Sequence, residues 1–178
     1  MLFKGANTYT MNSCETIEQF YNLRCDLDKL TVAASLTKII IDVTNENENC
    51  YKIMQLFLNT IYTISETDKN INQVVATFKL RLLSLLGFTP KIKECINCKD
   101  TMNIEYFSIR DNGFKCASCG RVDKGAIGIM PETVDAVRFS IMAPAKKIFS
   151  YTIPEMSIRE LELVAKLYLN EKLEKEYK

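Results

Sequence analysis

The stretch that decides the fold runs from Cys95 to Cys119: it contains CINC at residues 95–98 and CASC at residues 116–119. This C-x2-C-x17-C-x2-C spacing lies within the window typical of structural zinc sites. Each Cys-x-x-Cys turn directs two sulfurs toward one point, and two turns supply the four corners of the tetrahedron that Zn2+ prefers. We therefore predict one structural zinc ion per chain, bound by Cys95, Cys98, Cys116 and Cys119.

Two other interpretations of the cysteine pairs are a pair of disulfides and a redox-active Cys-x-x-Cys. Redox motifs usually open a helix in a βαβ setting, and no such pattern surrounds either pair. The chain has no histidine, so a mixed Cys/His metal site is excluded. Four protein ligands leave no open coordination position, which favours a structural over a hydrolytic metal.

Composition limits the cellular setting and the partners. The net charge of the 178 residues is +1, so a nucleic-acid-binding role would require local clusters of cations. The sequence shows no secretory signal and no apolar run of membrane-spanning length. The seven cysteines are an odd number, which fits a reducing cytoplasm. We expect a cytoplasmic protein with no membrane partner.

Apolar periodicity predicts a mainly helical chain outside the cysteine region. Residues 50–64 are apolar nearly all round, which predicts the central helix of a bundle. Residues 71–86 form the clearest amphipathic pattern, with Gly87 as the residue that ends the helix. Ser13 is a candidate N-cap for the first helix. The predicted helices cover residues 15–44, 50–64, 71–86, 131–142 and 157–176.

The segment between the cysteine pairs predicts a β-hairpin. Residues 106–110 alternate like a strand, Asp-Asn-Gly at 111–113 is a turn signal, and residues 114–116 return. The predicted fold class is therefore mainly α: a helical bundle with an embedded four-cysteine, zinc-ribbon-like β-hairpin module at about residues 91–125. Residues 1–12 predict a single strand or a tail.

Taken in order, these motifs closely resemble the RecO family of bacterial recombination mediators. The matching elements are NLRCDLDKL at residues 22–30, LLSLLGF at 82–88, the first cysteine pair, and FSIRDNGF followed by C-x-x-C at 107–119. The cysteine spacing alone is common to many families, but its combination with the other motifs is specific. The resemblance covers roughly residues 10 to 175.

The resemblance implies a protein without catalytic activity that acts in recombinational repair of DNA damage. Proteins of this family bind single- and double-stranded DNA, engage the C-terminal tail of the single-strand-binding protein and the partner RecR, and help to load RecA. It also implies a bacterial cytoplasmic protein associated with the nucleoid. It implies no small-molecule substrate.

The family architecture places an OB-fold before the helical bundle and the zinc module. Residues 1–14 resemble only a remnant last strand of that OB-fold, and residues 15–178 resemble the C-terminal helical domain. Because OB-folds bind single strands through stacking surfaces and basic grooves, we expect weakened DNA and RecR binding in this chain.

Two sets of candidate binding residues follow from the resemblance and the charge pattern. The family's bundle holds an apolar pocket for the acidic tail of the single-strand-binding protein, which we place along helix 71–86. Its candidate residues are Phe78, Lys79, Arg81 and Leu82, although such a stripe is more often ordinary core. The candidate DNA-binding residues around the zinc module are Lys91, Lys93, Arg110, Lys115 and Arg121, with acidic residues in the same stretch.

Two other function classes compete with a DNA repair protein. One is a zinc-ribbon regulator of transcription or translation that binds nucleic acid, which would require a clearly basic face. The other is an enzyme that uses zinc as a Lewis acid, which four cysteine ligands disfavour. The sequence has no Gly-rich phosphate loop, and no pair of carboxylates can be assigned as catalytic.

Overall fold

A computed structural model of the chain describes residues 2–6, 8–46 and 48–177. Four residues lie outside the described ranges: Met1, Asn7, Asn47 and Lys178. They include the first residue of the predicted segment 1–14 and the last residue of the predicted segment 15–178. Within the described residues the fold is mainly helical with two small antiparallel sheets, which confirms the predicted fold class. None of its helices is long and apolar enough to cross a membrane.

The chain begins with two short strands, β1 (Leu2–Lys4) and β2 (Tyr9–Met11), which pair as an antiparallel hairpin. The sequence predicted a single strand here. Both strands are exposed along their length, so apolar burial does not hold this hairpin against the bundle.

The first long helix begins later than predicted. Residues 12–20 are not helical, α1 (Tyr21–Arg24) is a single turn, and α2 covers Leu27–Val43. The N-cap of α2 is Asp26 rather than Ser13, because the Asp26 carboxylate accepts the backbone N–H groups of Asp28 and Lys29 at 2.9 and 3.1 Å. Such a cap satisfies two of the four unpaired N–H groups at a helix start.

The bundle continues with α3 (Tyr51–Glu66), α4 (Ile71–Leu85), α6 (Pro131–Met142) and α7 (Glu155–Leu173), close to the predicted bounds. The prediction that the second long helix is central is wrong. Helix α3 exposes Tyr51, Met54, Leu58 and Tyr62, whereas α4 packs against α3, α6 and α7.

Helix α4 can lie at the centre because its polar residues find partners inside. The Gln73 amide donates to the Tyr151 carbonyl at 2.7 Å, and the Thr77 and Tyr151 hydroxyls lie 2.7 Å apart. The helix ends at Gly87, which has φ 93°. The N–H of Phe88 then donates to the Leu83 carbonyl at 2.8 Å, which is a Schellman C-cap.

The cysteine module lies between α4 and α6. It contains β3 (Ile104–Ser108), β4 (Gly113–Cys116), the short helix α5 (Ala117–Arg121) and β5 (Ala126–Gly128), with sheet order β4-β3-β5. The predicted hairpin is present, and the third strand was not predicted. Phe107 is fully buried and makes edge-to-face contacts with Phe114 and Tyr168, with ring centroids 5.9 and 5.5 Å away. The module is therefore part of the bundle core.

Candidate metal centre and binding surfaces

The first cysteine pair lies on a tight turn. The backbone N–H of Cys95 donates to the Asp100 carbonyl at 2.7 Å, and that of Lys99 donates to the Cys95 carbonyl at 3.0 Å. Lys99 has φ 69°, the left-handed conformation that closes the turn. The N–H of Ile96 donates to the Phe114 carbonyl at 2.9 Å, so the turn is anchored to β4.

The second cysteine pair lies where β4 passes into α5, with Cys116 as the last strand residue and Cys119 in the helix. Gly120 follows directly, and a Cβ atom at this position would lie 2.1 Å from the Tyr106 side chain. Only glycine therefore lets α5 pack against β3 at this distance. This packing fixes the position of the second pair.

The structure brings the four predicted cysteines together. Their Sγ atoms all lie within 4.8 Å of one another, and those of Cys98 and Cys116 are 3.5 Å apart. Sulfurs at the corners of a zinc tetrahedron are roughly 3.8 Å apart, given Zn–S bonds of about 2.3 Å. Cys95 and Cys116 are buried, Cys119 is half-buried and Cys98 is exposed. The cluster can hold a metal ion.

The electrostatics of the cluster also favour a cation. Hydrogen bonds from the Ser118 hydroxyl and from the backbone N–H of Cys119 lower the pKa of the Cys116 thiol to about 6. The adjacent thiols of Cys116 and Cys98 raise the pKa of Cys119 to about 12. Without a metal, one thiolate thus opposes ionisation of the next. A bound cation removes this repulsion and stabilises all four thiolates.

Lys115, one of the predicted DNA-binding residues, points inside the module. Its side chain is 3% exposed, and its Nζ lies 2.5 Å from Asp111 and 2.7 Å from Asp123. Asp123 also accepts a hydrogen bond from the Ser108 hydroxyl at 2.8 Å. Lys115, followed by Ser108, holds the pKa of Asp123 well below its usual value. The charge of Lys115 is therefore compensated internally and is not presented to a phosphate.

The other four predicted DNA-binding residues are exposed. Arg110 is 79% exposed and lies 3.4 Å from the Asp111 carboxylate, while Arg121 follows the second cysteine pair. Lys91 and Lys93 lie on the segment that enters the first cysteine pair, on either side of the buried Ile92. Lys91 and Lys93 line one cavity and Arg110 lines another, and neither lining contains an aromatic ring. DNA contact therefore stays a prediction.

The four residues predicted for partner binding differ in accessibility. Phe78 and Leu82 are fully buried, so they form the core behind the helix surface. Lys79 is 8% exposed, and burial lowers its pKa. Arg81 is half-buried, and its guanidinium donates to the Ile141 carbonyl at the end of α6. Arg81 lines a cavity.

That cavity, which we name the helical pocket, has a volume of about 220 Å3 between α3, α4 and the segment after α6. Its apolar wall is aliphatic, and its cations are Lys52 and Arg81. Sequence analysis missed Lys52, although a cation in the first turn of an otherwise apolar helix is a usable signal. The segment after α6 gave no local signal, because only the tertiary fold brings it here. The principal lining residues are Lys52, Leu56, Arg81, Leu85, Ala145 and Ile148.

The fold and the site define a class of protein: a helical bundle with a four-cysteine module, able to hold a metal ion, inserted between two of its long helices. The family model described as Recombination protein O C terminal matches residues 24–178. Since it covers most of the chain, the chain belongs to the RecO C-terminal family. This confirms the resemblance found in the sequence motifs.

Several similar proteins bear the name DNA repair protein RecO. That of Acetivibrio thermocellus is 40% identical over 178 residues, which is 99% of this chain and 71% of that protein. That of Alkaliphilus metalliredigens is 28% identical over 170 residues, covering 95% of this chain and 69% of that protein. That of Bacillus subtilis is 25% identical over 172 residues, covering 96% of this chain and 67% of that protein.

Proposed function

We propose that this chain is a non-enzymatic protein of recombinational DNA repair. In this proposal it docks the acidic C-terminal tail of the single-strand-binding protein and works with RecR to help load RecA. Membership of the RecO C-terminal family and the name shared by the relatives support this class over a regulator of transcription or translation. A function in DNA repair implies the bacterial cytoplasm, at the nucleoid.

The observation that carries the docking proposal is the helical pocket. Its wall of Leu56, Leu85 and Ile148 suits the apolar side chains of a peptide, and Lys52 and Arg81 suit its carboxylates. Cation–carboxylate hydrogen bonds are stronger than neutral ones, and an apolar wall excludes water from them. Phe78 and Leu82 support the pocket from behind rather than contact the tail.

We further propose that the metal is zinc and that its role is structural. Four thiolates this close together suit tetrahedral Zn2+ and would leave no coordination position for a substrate. The bound ion would hold the two cysteine turns together and so keep Phe107 and Phe114 in the bundle core. No residue of the cluster is assigned a catalytic role.

DNA binding and the domain arrangement complete the proposal. We assign contact with single- and double-stranded DNA to the exposed Arg110 and Arg121, and we take residues 15–178 as the helical domain with the zinc module at about 91–125. We take residues 1–14 as the remnant of the last strand of the family's OB-fold. Lys91 and Lys93 border aliphatic side chains, which suits a peptide better than a nucleic acid.

The docking proposal is tested by fluorescence anisotropy with a labelled peptide of the single-strand-binding protein's C-terminus. We expect saturable binding that weakens as salt rises. Lys52→Glu should weaken it roughly tenfold by replacing attraction with repulsion, and Lys52 is exposed, so the fold should be unaffected. Arg81→Glu should weaken binding at least as much, although it also removes the hydrogen bond to α6.

The matched control is the double variant Lys38→Glu, Lys166→Glu, which places charge reversals on exposed sites outside the helical pocket. It should bind within about twofold of the wild type, because salt screens exposed charges that do not contact the peptide. If the control and Lys52→Glu lose the same affinity for the peptide, the loss is explained by the change in net charge. That result would contradict docking in the helical pocket.

A further inference from the structure

A second apolar surface lies beside the first cysteine pair. We name it the knuckle groove, and its volume is about 490 Å3. Its floor is aliphatic and its rim contains three lysines. The floor is formed by Pro90, Ile92, Ile96, Ile141 and Met142, and the rim by Lys91, Lys93 and Lys99. This volume is within the range of sites that bind a ligand or a few peptide side chains.

The charges of the rim are not balanced. Glu94, the one carboxylate in the lining, is 2.9 Å from Lys99. In the part of the chain that the structure describes, no carboxylate lies within ion-pair distance of Lys91 or Lys93. Two exposed positive charges, those of Lys91 and Lys93, therefore border an apolar floor. The two lysines flank the buried Ile92 in the sequence.

The groove is formed in advance of any partner. The N–H of Lys91 donates to the Asn112 carbonyl at 2.8 Å, and its carbonyl accepts the N–H of Phe114 at 2.9 Å. The Arg138 side chain donates to the Ile92 carbonyl at 3.0 Å. These bonds fix the wall of the groove to β4 and to α6. A fixed wall lowers the conformational entropy lost on binding.

The floor also has an unfilled apolar surface. Met142 is 65% exposed and Ile96 is half-buried, so both present apolar surface to solvent beside the lysines. Among the described residues that line the groove, the apolar side chains are aliphatic and none is aromatic. Single-stranded nucleic acids gain much of their affinity from stacking on aromatic rings, so this lining favours a peptide.

We propose that the knuckle groove docks a short acidic segment of a partner protein, which inserts a bulky apolar side chain between Ile96 and Met142. Its carboxylates pair with Lys91 and Lys93. This site is separate from the helical pocket and does not depend on the function proposed for it. The complementarity rests on the unpaired lysine charges and on the aliphatic floor.

The test uses the intact metal-loaded chain labelled with 13C at the methionine methyl groups, and the synthetic peptide DELFED as the probe. We expect a saturable shift of the Met142 methyl signal, which is assigned with Met142→Leu. The signals of Met54 and Met156, which are exposed elsewhere, should not move. The matched peptides DEGGED and NQLFQN, which lack the apolar or the acidic part, should bind roughly tenfold more weakly.

Variants separate the two surfaces. Lys91→Glu with Lys93→Glu should weaken the Met142 response roughly tenfold, whereas Lys52→Glu and the control Lys38→Glu, Lys166→Glu should leave it intact. If Lys52→Glu alone abolishes peptide binding, the groove proposal fails while the helical pocket stands. If DELFED shifts the Met142 signal but Lys52→Glu does not weaken binding of the single-strand-binding protein's tail, the groove proposal stands and docking in the helical pocket fails.

Two further outcomes would overturn the proposal. An oligothymidylate that shifts Met142 at lower concentration than DELFED would make the groove a nucleic-acid surface. A Met142 shift that grows with protein concentration in the absence of peptide would mean that a second copy of the chain covers it.

Discussion

The helical pocket and the knuckle groove both border the segment from Ile141 to Ile148, yet their walls are held in different ways. The pocket is built on α3 and α4, whose backbone hydrogen bonds are internal to each helix. The groove is built on the irregular segment 89–99, which has no such internal ladder. Its positions are fixed by bonds to β4 and by the cysteine turn.

This difference indicates what the cysteine module contributes to the bundle. A helix positions a side chain through its own hydrogen bonds and its packing, whereas an irregular segment needs cross-links from outside. The four cysteines are suited to supply one. The groove should therefore depend on the metal, and the pocket should depend mainly on helix packing.

The largest effect should follow from loss of the metal through Cys116→Ser. Structural zinc contributes on the order of 10 kcal/mol to the folding of small modules. We expect the variant to lose its metal and the protection of its amides from hydrogen exchange over residues 91–128. Protection along α7 should fall in part, because Tyr168 packs on Phe107, whereas α2 and α3 should keep theirs.

Metal analysis and hydrogen-exchange mass spectrometry measure both effects, with Cys14→Ser at an exposed cysteine as the control. In Cys116→Ser, the knuckle groove should no longer bind DELFED, whereas the helical pocket should still bind the tail of the single-strand-binding protein measurably. Full metal content and an unchanged melting curve in Cys116→Ser would contradict a structural metal at this cluster.

The next effect concerns Phe107, the side chain that packs the cysteine module against the bundle. Phe107→Ala removes a fully buried ring between Phe114 and Tyr168, and such truncations cost about 3–5 kcal/mol. We expect a loss of this size in urea unfolding of the metal-loaded chain. Phe88→Ala, at a ring that is 40% exposed, should cost less than half as much. Equal losses would mean that the module does not pack into the bundle core.

A smaller and more local effect should follow from Gly113→Ala. A Cβ at this position would lie 2.3 Å from the Lys91 carbonyl oxygen, so the wall of the groove must move. We expect a destabilisation of about 1–3 kcal/mol, as for other overpacked sites, with weakened binding of DELFED and unchanged binding at the helical pocket. Gly128→Ala, whose Cβ would lie 3.8 Å from Tyr106, is the control. A similar loss of DELFED binding in both variants would show that the contact with Lys91 does not shape the groove.

The smallest effect should come from the N-cap of α2. Asp26→Ala removes the acceptor for two backbone N–H groups, and such changes cost about 1 kcal/mol. Thermal unfolding should detect the loss, while both binding surfaces keep their affinities because neither includes α2. Ser13→Ala should have a smaller effect on α2. If Ser13→Ala lowers the helicity of α2 as much as Asp26→Ala does, Asp26 is not the N-cap.

Features set by local chemistry could be predicted from the sequence. The approach of two sulfurs within each Cys-x-x-Cys follows from turn geometry, the end of α4 follows from the conformational freedom of Gly87, and the start of α6 follows from Pro131 at its first position. Each depends on residues adjacent in the chain.

Features set by long-range partners could not be predicted. Lys115 has the sequence context of a surface strand residue, and it is buried because Asp111 and Asp123 arrive from two different loops. Strand β5 has three residues and forms only because β3 offers a free edge. Gln73 makes the sequence of α4 look too polar for a central helix. The side chain can be buried because its amide donates to the Tyr151 carbonyl, which is far away in the sequence.

The central claim is that the helical pocket docks the acidic tail of the single-strand-binding protein. The most direct measurement is methyl NMR of the metal-loaded chain, labelled at isoleucine and leucine, during titration with that tail peptide. We predict saturable shifts at Leu56, Leu85 and Ile148, weakened roughly tenfold in Lys52→Glu, at peptide concentrations below those that move Ile96. Shifts confined to Ile96, or no shifts at saturating peptide with the fold and metal intact, would contradict the claim.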